Sequence, residues 1–369
     1  MSKSNEQIND SSGKERRLGG KLKAKLFRRR ASLSPVRITS DNIDEHRQSI
    51  LARGRRLKYP VQYSKKRLLV VTVMLVIVAA TGFGLWLQNA LYRQQQTSNF
   101  YYNVTKVLPL SVASVDGHPV RYQDYLRRLR ADISYYINRE RRSFNSKEGG
   151  KELAYLKRKD LQVTEKAAYV KWLAGQSGVS VSDSEVDAKI KSMREADRAT
   201  KDDLTDTLQS FYGWTLDDYR ATIKDQMLSQ KLSYLIDQQA KSKIDKAKRL
   251  IESGVDFAQV AKDMSDDDAA GANVNRTVSL AGRDPTGMVK LIRRLEPGQT
   301  TGVQKVCLDS SDYYYIAKLI NKNKKEMTYQ LVMVKLTKLD QDFAKLRQRG
   351  VIKEYINVPS DSSFASKEN

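Results

Sequence analysis

Leu68 to Leu87 is a run of twenty residues without one charge, LLVVTVMLVIVAATGFGLWL. A helix of about 20 residues is roughly 30 Å long, which matches the hydrocarbon core of a bilayer. Helices buried in soluble proteins seldom run this far without a charged interruption, so the segment is expected to cross a membrane. The rest of the chain must then lie on two sides. Residues 1–67 carry a net +13 of the chain's total +23, and Arg55, Arg56, Lys58, Lys65, Lys66 and Arg67 crowd the N-terminal flank. Only Arg93 stands close behind the other end. Basic flanks stay in the cytoplasm. The expected topology is therefore a single-pass cell-membrane protein with its N-terminus cytoplasmic and its long C-terminal part extracytoplasmic. A cleaved signal peptide is the rival, but its apolar core is shorter and does not sit behind a long leader. Trp86 and Tyr92 are expected near the outer interface.

Composition narrows the chemistry. About 280 residues follow the apolar run, enough for two domains of ordinary size. The single cysteine, Cys307, excludes an internal disulfide and is expected in a buried strand. Only two histidines occur, His46 and His118, and no Cys/His cluster has metal-ligand spacing. Nothing implies a metal or a cofactor. Residues 1–66 are polar and basic without a sustained apolar period, and read as a disordered cytoplasmic tail. Within it, Lys21 to Arg30 (KLKAKLFRRR) reads either as a solvated topology signal or as an attachment to anionic lipid headgroups. Such attachment is worth about 1 kcal/mol per basic residue. Residues 67–88 form the span, and 89–110 read as a linker.

Beyond the linker the chain takes on a folded pattern. Val112-Ala-Ser-Val115, then Asp116-Gly117, then His118-Pro-Val120 predicts a hairpin with a tight turn. A helix is predicted from Tyr122, burying Tyr125, Leu126 and Leu129. Another is predicted over Thr164 to Ala174, stopped by Gly175 and Gly178. Ser182-Asp-Ser-Glu185 is a capping box and starts a helix that buries Val186 and Ile190. Thr215-Leu-Asp-Asp218 opens a long amphipathic helix through Leu216, Tyr219, Ile223, Met227, Leu232 and Leu235, read as core positions.

Three stretches, SVDGHPVRYQDYLRRL, GVSVSDSEVDAKIKSM and FYGWTLDDYRATIKDQMLSQKL, together resemble the N-terminal chaperone domain of SurA- and PrsA-type foldases. The resemblance covers residues 111–238. It implies a mainly helical domain that holds unfolded client chains in an apolar cradle.

Residues 239–358 show a different order. Ile244 to Ile251 continues a helical pattern, and Asp256-Phe-Ala-Gln-Val-Ala261 starts a short helix. The acidic stretch Ser265 to Gly271 lacks calcium-loop spacing and reads as a solvated loop. Leu295-Glu-Pro-Gly298 is a turn, and Tyr313 to Leu319 and Thr328 to Lys335 are strands. Asp342, Phe343, Leu346 and Gly350 suggest a short helix, Val351 to Val358 a closing strand, and 359–369 a disordered tail. The parts SGVDFAQVAKDMSDD, MVKLIRRLEPGQTTGV and YYYIAKL resemble a parvulin-type peptidyl-prolyl isomerase domain. The overall expectation is an α+β protein: one transmembrane helix, a SurA-type helical domain and a small parvulin-like α+β domain.

The parvulin resemblance implies a site and also departs from it. The family's two histidines have no counterpart after His118. The final-strand histidine position falls at Tyr315. The other belongs to a strand that normally precedes the first helix, and 328–335 is expected to take that strand's place in a permuted order, with Leu331 near the histidine position. Asp267 matches the middle acidic position, Ser310 lies near the family's serine, and Met288 falls near the proline pocket. The expected activity is weak or absent. Three functional readings follow. The first is a membrane-anchored extracytoplasmic chaperone whose partners are unfolded or nascent exported polypeptides. The second is an active prolyl isomerase with Met288, Asp267 and Tyr315 around one shallow pocket. The third is an envelope scaffold with a basic cytoplasmic arm.

Overall fold

The computed structural model describes residues 43–58, 65–266, 275–282, 284, 286–308 and 311–359. The chain divides into two compact units, Met1–Phe83 and Gly84–Asn369.

In the first unit, helix α1 (Ile43–Lys58) is exposed over residues 43–54, with Asp44 and Glu45 in its first turn, where their charge complements the helix dipole. It falls inside the segment expected to be disordered. Its turns lack a continuous apolar stripe, so periodicity alone did not reveal it. The basic run 21–30 lies outside the described residues. Helix α2 (Lys65–Gln88) contains the apolar run, and no residue of its most apolar window is buried. Thr72 and Thr81 donate their hydroxyls to Leu68 O and Ile77 O at 2.9 and 2.8 Å. Both hydroxyls are thus satisfied within the helix itself.

The second unit holds several cores. The largest is built on a three-stranded antiparallel sheet ordered β2-β1-β7, from β1 (Ser111–Val115), β2 (His118–Arg121) and β7 (Ile352–Glu354). The β1–β2 turn is the predicted one. Asp116 and Gly117 have φ of +49° and +81°, and Val115 faces His118. Helix α4 (Tyr122–Asn138) follows at once and buries Tyr122, Tyr125, Leu126 and Leu129. Helix α5 (Lys147–Gln176) starts seventeen residues before its predicted first turn. Its early turns are charged and contain Gly149 and Gly150, which hid the start. Ser146 caps it, accepting from Gly149 N at 3.0 Å. A Cβ at Gly149 would stand 2.2 Å from Ser143 O, so only glycine lets the preceding loop pass this close.

The expected linker is folded. Leu87, Ala90 and Leu91 are buried, and a π-helical turn spans Asn89–Arg93. Tyr122 donates to Leu91 O at 2.6 Å and Tyr92 to Ser111 O at 2.8 Å. Helix α3 (Asn99–Val107) then packs beside α4 through Tyr102 and Thr105. The composition of 89–110 is polar enough to pass for a linker, but Leu91 and Tyr102 enter the core, and Tyr92, Val104 and Leu110 pack against it.

Helices α6 (Asp183–Ala196), α7 (Lys201–Thr207) and α8 (Leu216–Ile236) each begin with a complete capping box, at Ser182/Glu185, Thr200/Asp203 and Thr215/Asp218. Helix α8 serves two cores: Ile223 packs with Val186 and Ile190, whereas Leu232 enters the large core. Leu216 and Leu235, read as core positions, are exposed because the helix changes partners along its length.

After α9 (Gln238–Glu252) and α10 (Phe257–Met264) comes a four-stranded antiparallel sheet ordered β3-β6-β5-β4. Its strands are β3 (Asn275–Ser279), β4 (Gln304–Leu308), β5 (Ser311–Lys322) and β6 (Glu326–Lys335), with α11 (Met288–Ile292) between β3 and β4. Alternation along the strands gives the sheet two buried faces. Tyr314, Ile316, Val332 and Val334 pack on α9 and α10, and Tyr315, Ala317, Leu331 and Met333 pack on the other side with Met288 and Ile292. Cys307 is exposed, because its neighbour Val306 takes the inward position on β4.

The second region ends earlier than expected. Helix α12 (Lys338–Gln348) and β7 leave the four-stranded sheet and return to the first core, where Leu339, Phe343, Leu346, Ile356 and Val358 are buried. The part between about 238 and 336 is thus an insertion between the two chain segments that complete the large core. A strand as short as β7 carries no sequence signal for which sheet it joins.

Candidate functional site

The residues expected around an isomerase site are only partly placed. Met288, Tyr315 and Leu331 share one apolar cluster. Tyr315 faces Met333 across the β5–β6 ladder, and Ala317 faces Leu331, so Tyr315 and Leu331 are near neighbours on one sheet face. Asp267 and Ser310 lie outside the described residues. Their neighbours are structural: Ser265 Oγ accepts from Met333 N at 3.0 Å, and Asp266 accepts from Lys335 N at 3.1 Å. Met288, Tyr315 and Leu331 are all buried rather than arrayed around an open pocket. Burial, and then the charge of Asp284, push the Tyr315 hydroxyl up to about 12, so it stays neutral at ordinary pH. A cleft of about 420 Å³ opens instead toward the opposite sheet face, lined by Tyr234, Lys305 and Tyr314 among others.

The helical domain offers a surface that sequence reasoning did not single out. Tyr212 stacks between Tyr135 and Trp214, with centroids 5.6 and 5.5 Å apart, and Trp214 continues to Tyr219 at 6.4 Å. Tyr136 and Phe144 extend the row from the α4 side. All six rings are half-buried. Two guanidinium groups cover its edge: Arg139 lies 5.9 Å from the Phe211 centroid and Arg142 lies 5.5 Å from that of Tyr136. The available signal was the string Phe211-Tyr-Gly-Trp214, too short for a period.

Local structure explains why these rings stay at the surface. Leu208–Tyr212 form one π-helical turn after α7, and Gly213 ends it in the left-handed region at φ +62°. Trp214 Nε1 donates to Arg127 O at 2.9 Å, which fixes its plane. Arg127 itself is buried and pairs with Asp225 at 2.8 Å and Asp124 at 3.3 Å, while Lys171 reaches both carboxylates at 3.0 Å. This network locks α4, α5 and α8 behind the aromatic row. Nearby, burial and then the charge of Asp132 raise Asp160 to about 8. The row itself contains no nucleophile or acid–base pair. It presents flat apolar faces with a cationic rim, suited to binding rather than bond-making.

A family model described as the SurA-like N-terminal domain matches residues 62–233. The chain therefore carries a SurA-like chaperone domain, and the matched range holds α4 to α8 with the whole aromatic row. It also begins before the apolar run, upstream of the boundary at 111 expected from the motifs. No curated protein matches the chain.

Proposed function

We propose that this chain is a membrane-anchored extracytoplasmic chaperone that holds unfolded exported polypeptides on the aromatic row of its SurA-like domain. The observation that carries the reading is the SurA-like match over 62–233. The partly exposed rings within that range support it, because flat aromatic faces accept apolar side chains of any sequence. Helix α2, long and apolar enough to span a bilayer, supports the anchor, and the charge imbalance around it supports a cytoplasmic N-terminus.

The inserted region acts as a degenerate parvulin-like platform. Its sheet order supports this, since β6 lies between β3 and β5, a central place consistent with a permuted strand. Without histidines and with Tyr315 buried and neutral, its role is client binding rather than rotation of X-Pro bonds.

The test uses the full chain in nanodiscs and light scattering from an aggregating, chemically unfolded client. Suppression of scattering at several-fold excess is expected, and Phe211→Ser with Tyr212→Ser should weaken it several-fold while circular dichroism stays unchanged. Undiminished aggregation with the unaltered chain would count decisively against a chaperone.

A further inference from the structure

Helix α3 leaves large apolar side chains at the surface beside Asn99, Asn103 and Lys106. Its buried residues are Tyr102 and Thr105, whereas Phe100 is 51% exposed and Val107 is 81% exposed. Phe100 and Val107 are seven residues apart and so lie on one face, with Leu108, also exposed, at the edge, while Val104 turns toward the large core. Exposed apolar area is unfavourable in water, so this face calls for a cover.

Polar bonds hold the helix in this orientation. Tyr102 donates to Asp218, whose carboxylate also caps α8 through Thr215. Thr105 donates to Tyr102 O at 2.7 Å. Lys106 pairs with Asp218 at 3.2 Å, and Arg130 donates to Thr97 O at 2.7 Å just ahead of the helix and to Asn99, its first residue. Burial works against the Asp218 charge, but the hydrogen bonds from Tyr102 and Thr215 hold its carboxyl below the usual range. With the polar side pinned, Phe100, Val107 and Leu108 have nowhere to turn.

What covers them is indicated by the neighbouring chain. Trp86, next to the last residue of the apolar run, packs its ring on Phe100 at 6.0 Å and on Tyr101 at 5.6 Å. The exposed face is therefore continuous with the end of the segment read as the span. Aromatic rings with a polar edge settle at the headgroup level of a bilayer, and helices with one apolar face lie there with that face roughly 5–10 Å deep. We infer that α3 is an interfacial membrane helix, with Trp86, Phe100, Val107 and Leu108 forming one lipid-contacting collar that holds the SurA-like domain against the bilayer. The inference rests on the anchored reading above, and its test separates the two.

Nitroxide labels are placed by Val107→Cys, Ile77→Cys and Lys262→Cys, each in a Cys307→Ser background. The full chain is reconstituted in phosphatidylcholine vesicles containing a minority of phosphatidylglycerol. Relaxation by oxygen and by a nickel chelate reports depth. Val107 is four-fifths exposed, so the label leaves the core intact. The expected result is several-fold higher oxygen-to-nickel accessibility at 107 than at the exposed control 262, with 77 deeper still. Equal values at 107 and 262, with 77 deep, would overturn the collar and leave the anchor standing. An aqueous label at 77 with 107 at the interface would remove the span and retain the lipid contact. A label at 107 that responds to an unfolded client but not to vesicles would also overturn the inference, by assigning the face to clients.

Discussion

Glu165 is a carboxylate whose environment is at odds with its chemistry. It sits on α5 with 0% exposure, and one carboxylate oxygen, Oε1, finds no hydrogen-bond partner. Its other oxygen accepts from Arg347 on α12 at 2.8 Å. Burial, followed by the charge of Glu354, raises its pKa to about 7, outweighing the pairing with Arg347. The folded state thus holds a proton more tightly than the unfolded chain, whose glutamate titrates near 4.5. Stability from this group is complete at low pH and is lost as pH rises from about 4.5 through about 7. Glu165→Gln removes the titration. In thermal unfolding of the full chain, the wild type should lose stability relative to the variant between pH 5 and pH 8, by on the order of 2 kcal/mol. A constant difference across that range would show that Glu165 does not titrate there. No sequence pattern marks this residue, since a glutamate in a charged helix reads as a solvated one until its neighbours are known.

At the scale of elements, legibility followed the range of the signal. Turns and caps are local, so the Asp116-Gly117 hairpin and the Ser182 and Thr215 helix starts could be read directly from a few residues. The α7 cap at Thr200 is equally complete, but no apolar run follows it to draw attention. Long-range placement was not legible: nothing in Ile352 to Glu354 says that it pairs with β1 rather than with the sheet that precedes it. The return of α12 and β7 to the first core is secured by Arg158, which donates to Glu354 at 2.6 Å, to Pro359 O at 2.9 Å and to Val358 O. Phe343 also packs on Tyr169 with centroids 6.0 Å apart. The SurA-like domain therefore needs chain from both sides of the insertion. A chain ending at Leu336 loses five buried apolar side chains from the large core and one edge of its sheet. Each costs about 2–5 kcal/mol when removed from a packed core, more in sum than the whole stability of a typical domain. The truncated chain should unfold without a cooperative transition and bind a hydrophobic dye. A sharp transition close to that of the full chain would show that the C-terminal segment is dispensable. By the same reasoning, a soluble fragment cut at residue 94 discards Leu87, Ala90 and Leu91 and is a poor substitute for the intact protein.

For the whole molecule, the division of labour turns on whether the inserted region can rotate an X-Pro bond. The barrier is about 18–20 kcal/mol, and each tenfold acceleration requires about 1.4 kcal/mol of preferential binding to the twisted state. The described groups at the matching positions offer little of this. Tyr315 and Leu331 face a closed apolar cluster, and Met288 is a core residue there, so none presents a donor to a bound peptide. The absence of histidine was legible from the sequence; that Met288 and Tyr315 are packed side by side in a core was not, because a strand that is buried on both faces carries no alternation to show which side is open. This packing also changes the choice of variant. A charge at Met288 would disrupt the core whatever its function, whereas Tyr315→Phe removes only the hydroxyl. The full chain in nanodiscs, at micromolar concentration, should leave the proline-limited refolding phase of a model protein unchanged while an active parvulin accelerates it. Acceleration by the full chain that Tyr315→Phe abolishes, with thermal stability preserved, would instead establish a tyrosine-dependent isomerase. The inserted region would then rotate X-Pro bonds rather than only bind them.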